Sequence, residues 1–249
     1  MLAVTLVVLA FACGCAGDEA AGDEAAVDHG GELSSEEGQI AFMRASDFDP
    51  PDMKADIYIT NIDGTGERRL TDSPGLDGFP TWSPDGQRIA FVSDRGGDGN
   101  WDLYVMDSNG TRQRRLTYTP EEDEAVPAWS PDGEKIAYAI NPDGASTIWV
   151  MDTEGSDRRQ LGSGLFPNWS PDGERIAYTT YQGKAYLAVM NADGSERRIL
   201  GATVIQRLLR LGGGDEPAWA PGGERIAFAA YDGRDNSEIY VILFPDVRE

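Results

Sequence analysis

An all-β fold, a β-propeller of four-stranded blades, is predicted by three features of the 249-residue sequence. A unit containing Trp-Ser-Pro-Asp-Gly returns along the chain, its tryptophans Trp82, Trp129, Trp169 and Trp219 standing 47, 40 and 50 residues apart. A period of that length fits one propeller blade. Each unit holds short runs that are apolar at nearly every position, as strands covered on both faces are. Turn signals separate those runs throughout.

The first full unit shows the logic of the strands. Phe79-Pro-Thr-Trp82 reads as a short strand, and Ser83-Pro-Asp-Gly86 as a turn with Pro at its φ-fixed corner and Gly at its end. Arg88–Ser93 is the second strand, Asp102–Asp107 the third, and Ser108-Asn-Gly-Thr111 a hairpin turn before a fourth strand at 114–117. Copies follow at 126–138 and 166–178, and a fourth at 216–228 reads Ala-Pro-Gly-Gly in the turn. Paired arginines mark the fourth strands: Arg68-Arg69, Arg114-Arg115, Arg158-Arg159 and Arg197-Arg198. They read as charges guarding an exposed sheet edge. A net charge of −22 repels a polyanion, so no nucleic-acid partner is expected.

Residues 1–15 read as an export signal, since Met1 to Ala12 is apolar apart from Thr5 and too short for a spanning helix. Leu9-Ala-Phe-Ala-Cys-Gly-Cys15 resembles the lipobox of bacterial lipoproteins, which implies lipid attachment at a cysteine. Cys15, preceded by Ala12-Cys-Gly, fits better than Cys13; a plain cleaved signal and an uncleaved anchor are the alternatives. Both cysteines fall in this region, so the mature fold has no internal disulfide. Residues 16–37 carry Asp18, Glu19, Asp23, Glu24, Asp28, Glu32, Glu36 and Glu37 with no Lys or Arg, and read as a disordered, solvated tether. The single histidine, His29, lies in it.

The propeller is expected over 38–249, about 210 residues and enough for one large core. Gln39-Ile-Ala-Phe-Met43, Asp56-Ile-Tyr-Ile-Thr60 and Arg68-Arg-Leu-Thr71 supply the second, third and fourth strands of a unit that lacks a Trp strand. The last unit ends at Glu238-Ile-Tyr-Val-Ile242 without a fourth strand. The count is five blades with an incomplete first and last. The ring is filled by the tail or tether, stays open, or is completed by a second chain. Residues 201–215 break the pattern, with Val204, Ile205, Leu208, Leu209 and Leu211 at roughly helical spacing. They form a short amphipathic helix on the ring or an ordinary packed insertion.

Trp-Ser-Pro-Asp-Gly-x-x-Ile-Ala-Phe, followed by Asp-x-Tyr-Val-Met-Asp and Arg-Arg-Leu-Thr, resembles the WD40-like repeats of the TolB propeller over about 85 per cent of the chain. The same repeat occurs in the propellers of prolyl-oligopeptidase-type and tricorn-like peptidases. The resemblance implies a propeller that binds protein, since the TolB propeller docks the peptidoglycan-associated lipoprotein. It also places the residues just before Pro-x-Trp near the central channel, which makes Asp77, Asp123, Glu124, Asp215 and Glu216 the channel-mouth candidates.

No Gly-x-Ser-x-Gly elbow is present, and no histidine lies inside the propeller for a Ser-His-Asp arrangement. Phosphate loops and Cys/His metal sites are likewise missing from the sequence. No catalytic residue is therefore expected. Carboxylates gathered at one mouth would attract a hard cation such as Ca²⁺ or a basic partner segment; otherwise they are ordinary acidic loops. The loop from Asp94 to Asp102 has the carboxylate-and-glycine spacing of a calcium loop but not its closing Glu. The expected function is a non-catalytic protein-binding platform with no cofactor beyond that candidate Ca²⁺. It is exported to the periplasm or outer surface of the cell envelope and held to the membrane only by a lipid anchor. The rival is a cation-dependent hydrolase or lyase at the channel mouth, which requires those five carboxylates to share one cavity.

Overall fold

The computed structural model describes residues 10–11, 38–47, 54–97, 99–141, 146–200, 212–231 and 237–244. All regular structure among them is β-strand, arranged as five antiparallel sheets. Blade 1 is β1 (Ala10–Phe11), β2 (Gln39–Asp47), β3 (Lys54–Asn61) and β4 (Arg68–Arg69). Blade 2 is β5 (Asp77–Trp82), β6 (Arg88–Ser93), β7 (Asp102–Asp107) and β8 (Arg114–Arg115). Blade 3 is β9 (Glu124–Trp129), β10 (Lys135–Ile140), β11 (Thr147–Asp152) and β12 (Arg159–Ser163). Blade 4 is β13 (Leu165–Trp169), β14 (Arg175–Tyr181), β15 (Ala185–Asn191) and β16 (Arg198–Ile199). Blade 5 has three strands, β17 (Gly212–Trp219), β18 (Arg225–Tyr231) and β19 (Ser237–Leu243). The propeller of five blades with an incomplete last unit is as expected. The cysteines Cys13 and Cys15, the tether with His29, and residues 201–211 of the expected amphipathic segment lie outside the described residues, while 212–215 open β17.

The Ser-Pro-Asp-Gly turn is held by its own side chains. Ser83 Oγ donates to Asp85 Oδ1 at 2.6 Å, Gln87 N–H donates to the same oxygen at 3.0 Å, and Arg88 N–H donates to Ser83 Oγ at 2.9 Å. Asp85 consequently titrates below the usual carboxylate range, first through Ser83 and then through the Gln87 amide. The fourth copy, Ala220-Pro-Gly-Gly223, keeps the backbone bonds at 2.9 Å without those side chains. Upstream, the residue directly before each proline is left-handed: Phe79, Val126, Phe166 and Glu216 have φ of 50, 47, 54 and 53°. At each of these points the pairing with the second strand slips. A bulge therefore bends every inner strand at the same place.

Cohesion comes from blade-to-blade burial. Ile57 and Ile59 of blade 1 pack with Trp82, Ile89, Phe91 and Met106 of blade 2. Val105 meets Trp129 and Ile136 at the next junction, Val150 meets Trp169 and Ile176, and Val189 meets Ile226 and Trp219. Each tryptophan thus belongs to the seam with the preceding blade, and Trp129 and Trp169 donate their indole N–H to the carbonyls of Thr81 and Ala128 there, at 3.3 and 3.2 Å. Among the described residues no such cluster joins blade 5 back to blade 1. The hairpin glycines agree. A Cβ on Gly110, Gly155 or Gly194 would come within 2.9, 2.6 and 3.0 Å of a carbonyl in the preceding blade, whereas one on Gly64 of blade 1 would meet nothing within 4 Å.

Two features were not foreseen. The place of the missing Trp strand is taken by residues 10–11: Ala10 pairs with Ala41 and Phe11 with Ile40, the register that Thr81 and Trp82 hold against Ala90 and Ile89. And the arginine pairs do more than guard an edge. Arg68, Arg114 and Arg159 each reach forward to a turn carbonyl of the next blade, at Asn109 (2.8 Å), Glu154 (3.2 Å) and Asp193 (2.7 Å). The pairs are also out of step: Gln160 stands opposite Trp149 where Arg115 stands opposite Tyr104, so Arg158 precedes its strand.

Candidate functional site

Asp77 and Glu124 open the inner strands β5 and β9, five residues ahead of Trp82 and Trp129, and both are fully buried. Their surroundings differ. Asp77 Oδ1 accepts from Ser93 Oγ at 2.6 Å, and Oδ2 accepts from Ser73 Oγ at 2.9 Å and from Arg95 Nη2 at 2.7 Å. The Arg95 guanidinium lies over the rings of Phe91 and Tyr104 at 5.3 and 5.2 Å, which fixes it as a desolvated counter-ion. Asp77 is therefore saturated.

Glu124 is not. Its Oε1 accepts from the Thr119 hydroxyl and, at 3.4 Å, from Arg158 Nη2, while Oε2 is buried with no partner among the described residues. Burial pushes its carboxyl up to about 7; the Thr119 hydroxyl opposes this, the charge of Asp102 adds to it, and Arg158 opposes it. Arg158 is divided between Glu124 and Tyr138, whose hydroxyl accepts from Nε at 2.9 Å. Burial first, partly offset by Arg158, raises the Tyr138 phenol to about 12. Alongside, Asp102 accepts from Arg115 Nη2 at 2.5 Å on Oδ2 and from the Thr117 hydroxyl at 3.3 Å on Oδ1. Asn100 Nδ2 reaches the carbonyls of Thr119 and Glu122 at 3.0 and 3.1 Å, leaving Asn100 Oδ1 buried without a partner among the described residues.

The five candidate carboxylates are placed differently from one another. Asp123 is partly exposed and accepts from the Trp101 amide at 2.8 Å, fastening the blade 2 loop to the start of blade 3. Glu216 is the left-handed residue before Pro217, and Asp215 pairs with Ala229 in β17, its side chain lying outside the described residues. Among the described residues no group of three or more His, Cys, Asp or Glu is placed to hold a metal ion. In the calcium-like loop, Asp94 Oδ1 accepts from the Leu76 amide at 2.8 Å and Asp102 is paired as above. The carboxylates were legible in the sequence, but their partners Arg95 and Arg158 were not, since neither stands near them in the chain. No helix among the described residues is long and apolar enough to cross a membrane.

The comparisons with known proteins fit this architecture. The profile of the TolB beta propeller domain matches residues 40–206. A TolB homolog of Chlorobium luteolum is 51% identical over 43 residues, 17% of this chain and 10% of that protein. Among solved structures, TolB from Acinetobacter baumannii is similar with a TM-score of 0.69 at 21% identity, covering 83% of this chain and 50% of that one. An oligogalacturonate lyase in complex with manganese is similar at 0.58 and 16% identity, over 84% of this chain and 62% of that one. The matched region is thus about a tenth of the curated relative and half of the TolB chain. With the repeat, the blade topology and a profile spanning most of its length in agreement, the chain belongs to the TolB β-propeller family.

Proposed function

We propose that this chain is a non-catalytic protein-binding platform of the bacterial cell envelope, exported and held to a membrane by a lipid on Cys15. The observation that carries the reading is the saturation of Asp77 and Asp102: all four oxygens are bonded inside the fold, so these buried carboxylates build a frame and are not left to react. Family membership supports protein binding. The lipobox-like leader supports the anchor, and processing ahead of Cys15 would remove β1 and free the β2 edge for an extended partner segment. Titration calorimetry of the chain against the soluble part of a peptidoglycan-associated lipoprotein should give saturable one-to-one binding. Flat heats up to about 100 µM, where a weak interface still registers, would overturn the TolB-like partner. Palmitate labelling should be lost in Cys15→Ser and kept in Cys13→Ser.

The unpartnered Oε2 of Glu124 favours a second reading, a cation-dependent hydrolase or lyase. Under the first reading millimolar Ca²⁺ or Mn²⁺ leaves the melting temperature unchanged. A rise that Asp123→Ala and Glu124→Ala both abolish would favour the second.

A further inference from the structure

One position of the repeat is used differently in blade 3 from the blades on either side. The residue just ahead of the outer arginine strand is Gln113 in blade 2, Arg158 in blade 3 and Arg197 in blade 4. Gln113 Nε2 donates to the Gly110 carbonyl of its own hairpin at 2.9 Å and to the Leu70 carbonyl of blade 1 at 3.2 Å. Arg197 repeats this, with Nε donating to the Gly194 carbonyl at 3.1 Å and Nη2 to the Leu161 carbonyl of blade 3. Both side chains thus fasten a blade to the one before it. Blade 3 has the same seat: a Cβ on Gly155 would come within 2.6 Å of the Leu116 carbonyl of blade 2, as one on Gly110 or Gly194 would meet the carbonyl of Leu70 or Leu161. Arg158 turns away from it, giving Nε to the Tyr138 hydroxyl at 2.9 Å and Nη2 to Glu124 at 3.4 Å.

Glu124 is what draws it away. This residue holds the place in blade 3 that Asp77 holds in blade 2, but the local partners have been replaced. Asp77 stands opposite Ser93, which bonds to it, whereas Glu124 stands opposite Ile140, which cannot. Two residues beyond Ser93 comes Arg95; two beyond Ile140 comes Pro142. Glu124 is left with the long salt bridge to Arg158 and with an oxygen, Oε2, buried without a partner among the described residues. The other charged or titratable groups facing this cluster are Asp102 of β7, itself paired with Arg115 of β8, Tyr138 of β10, and Glu122 of the incoming loop, whose charge acts on Tyr138. Burial lifts the Glu124 carboxyl to about 7, so its charge changes near neutrality.

We propose that the charge of Glu124 selects between two seats for Arg158 and so decides whether blade 3 is fastened to blade 2. As a carboxylate, Glu124 holds the guanidinium beside Tyr138. Once protonated it offers dipoles only, and Arg158 moves to the carbonyls of Gly155 and Leu116, the seat that Gln113 and Arg197 occupy in their own blades. Acid therefore closes the outer part of the seam between blades 2 and 3, and base opens it. The proton is the only ligand such a two-state element needs.

The test is a titration of the full chain in mild detergent from pH 5 to pH 9. Trp149 lies 5.8 Å from the Arg158 guanidinium and reports its departure. Tryptophan emission of wild type should step with a midpoint at about 7, and the step should be lost in Glu124→Gln and in Trp149→Phe. Hydrogen exchange of the hairpin amides at 152–158, corrected for the intrinsic effect of pH, should be about tenfold slower at pH 5 than at pH 8, the size of one charge-assisted hydrogen bond. In Glu124→Gln it should be slow at both. Arg158→Gln, which gives blade 3 the residue of blade 2, should also be slow at both, and near-ultraviolet dichroism checks that the variants fold. An emission step that survives Glu124→Gln overturns the proposal, as does wild-type exchange that is equal at the two pH values. Fast exchange of Arg158→Gln at pH 5 overturns the seat at Leu116, and the proposal with it.

Discussion

Replacing Asp77 by alanine decides whether the buried inner carboxylates hold the fold or await a ligand. The substitution leaves the Arg95 guanidinium, 19% exposed and pressed on Phe91 and Tyr104, without its counter-charge, and removes the acceptor of two serine hydroxyls. Breaking a buried pair from one side costs about 3–5 kcal/mol. For a domain of this size each kcal/mol moves the melting temperature by about 2–4 °C, so Asp77→Ala should melt about 6–20 °C below wild type. Thermal unfolding followed by tryptophan fluorescence reads this directly. Adding Arg95→Leu should restore at least about half of the loss, because no charge then stays unpaired. Asp123→Ala, which gives up a single bond from the Trp101 amide at a partly exposed site, should cost only about 1 kcal/mol. An Asp77→Ala protein melting within about 2 °C of wild type would refute the structural role, as would a double variant whose loss equals the sum of the single losses.

Two further outcomes are expected. The carboxyl of Glu124 titrates at about 7 in the folded chain against 4.5 in the unfolded one, so the folded chain binds more protons between those values. Stability should therefore fall by roughly 3 kcal/mol as the pH rises from 4.5 to 7 and level off above, on top of the other groups. Glu124→Gln should remove this component and be the more stable protein at pH 8; urea titrations at pH 5 and pH 8 that show equal pH sensitivity in the two proteins would contradict it. Gly155→Ala and Gly64→Ala share a left-handed backbone, at φ +91° and +81°, but only the first drives a Cβ into a carbonyl of the preceding blade. Gly155→Ala should cost about 1–3 kcal/mol more, read as the difference in urea midpoints. Equal losses would mean that blade 2 does not press on that turn.

The blades were legible because their signal is local. Trp82, the Ser83 to Gly86 turn and the apolar β6 and β7 recur as one block, and every element of that block is where the repeat placed it. What was hidden depends on partners remote in sequence. Asp77 as a residue type says carboxylate; that it is saturated requires Ser73, Ser93 and Arg95 to arrive together. The left-handed Phe79 and Val126 run against the extended backbone that a following proline favours, and only the bulge in the pairing accounts for them. Ala10–Phe11 was invisible as a strand because a stretch that is apolar at nearly every position carries no alternation to read.

The forward reach of the outer arginines also has a consequence in time. Arg68 finds its acceptor 41 residues downstream, Arg114 40 and Arg159 34. A chain made from its N-terminus therefore leaves each blade unfastened until the hairpin of the next has emerged. At about 5–20 residues per second, that leaves an outer strand waiting for roughly two to eight seconds. The unfastened edge therefore always lies at the newest blade and not at those already behind it.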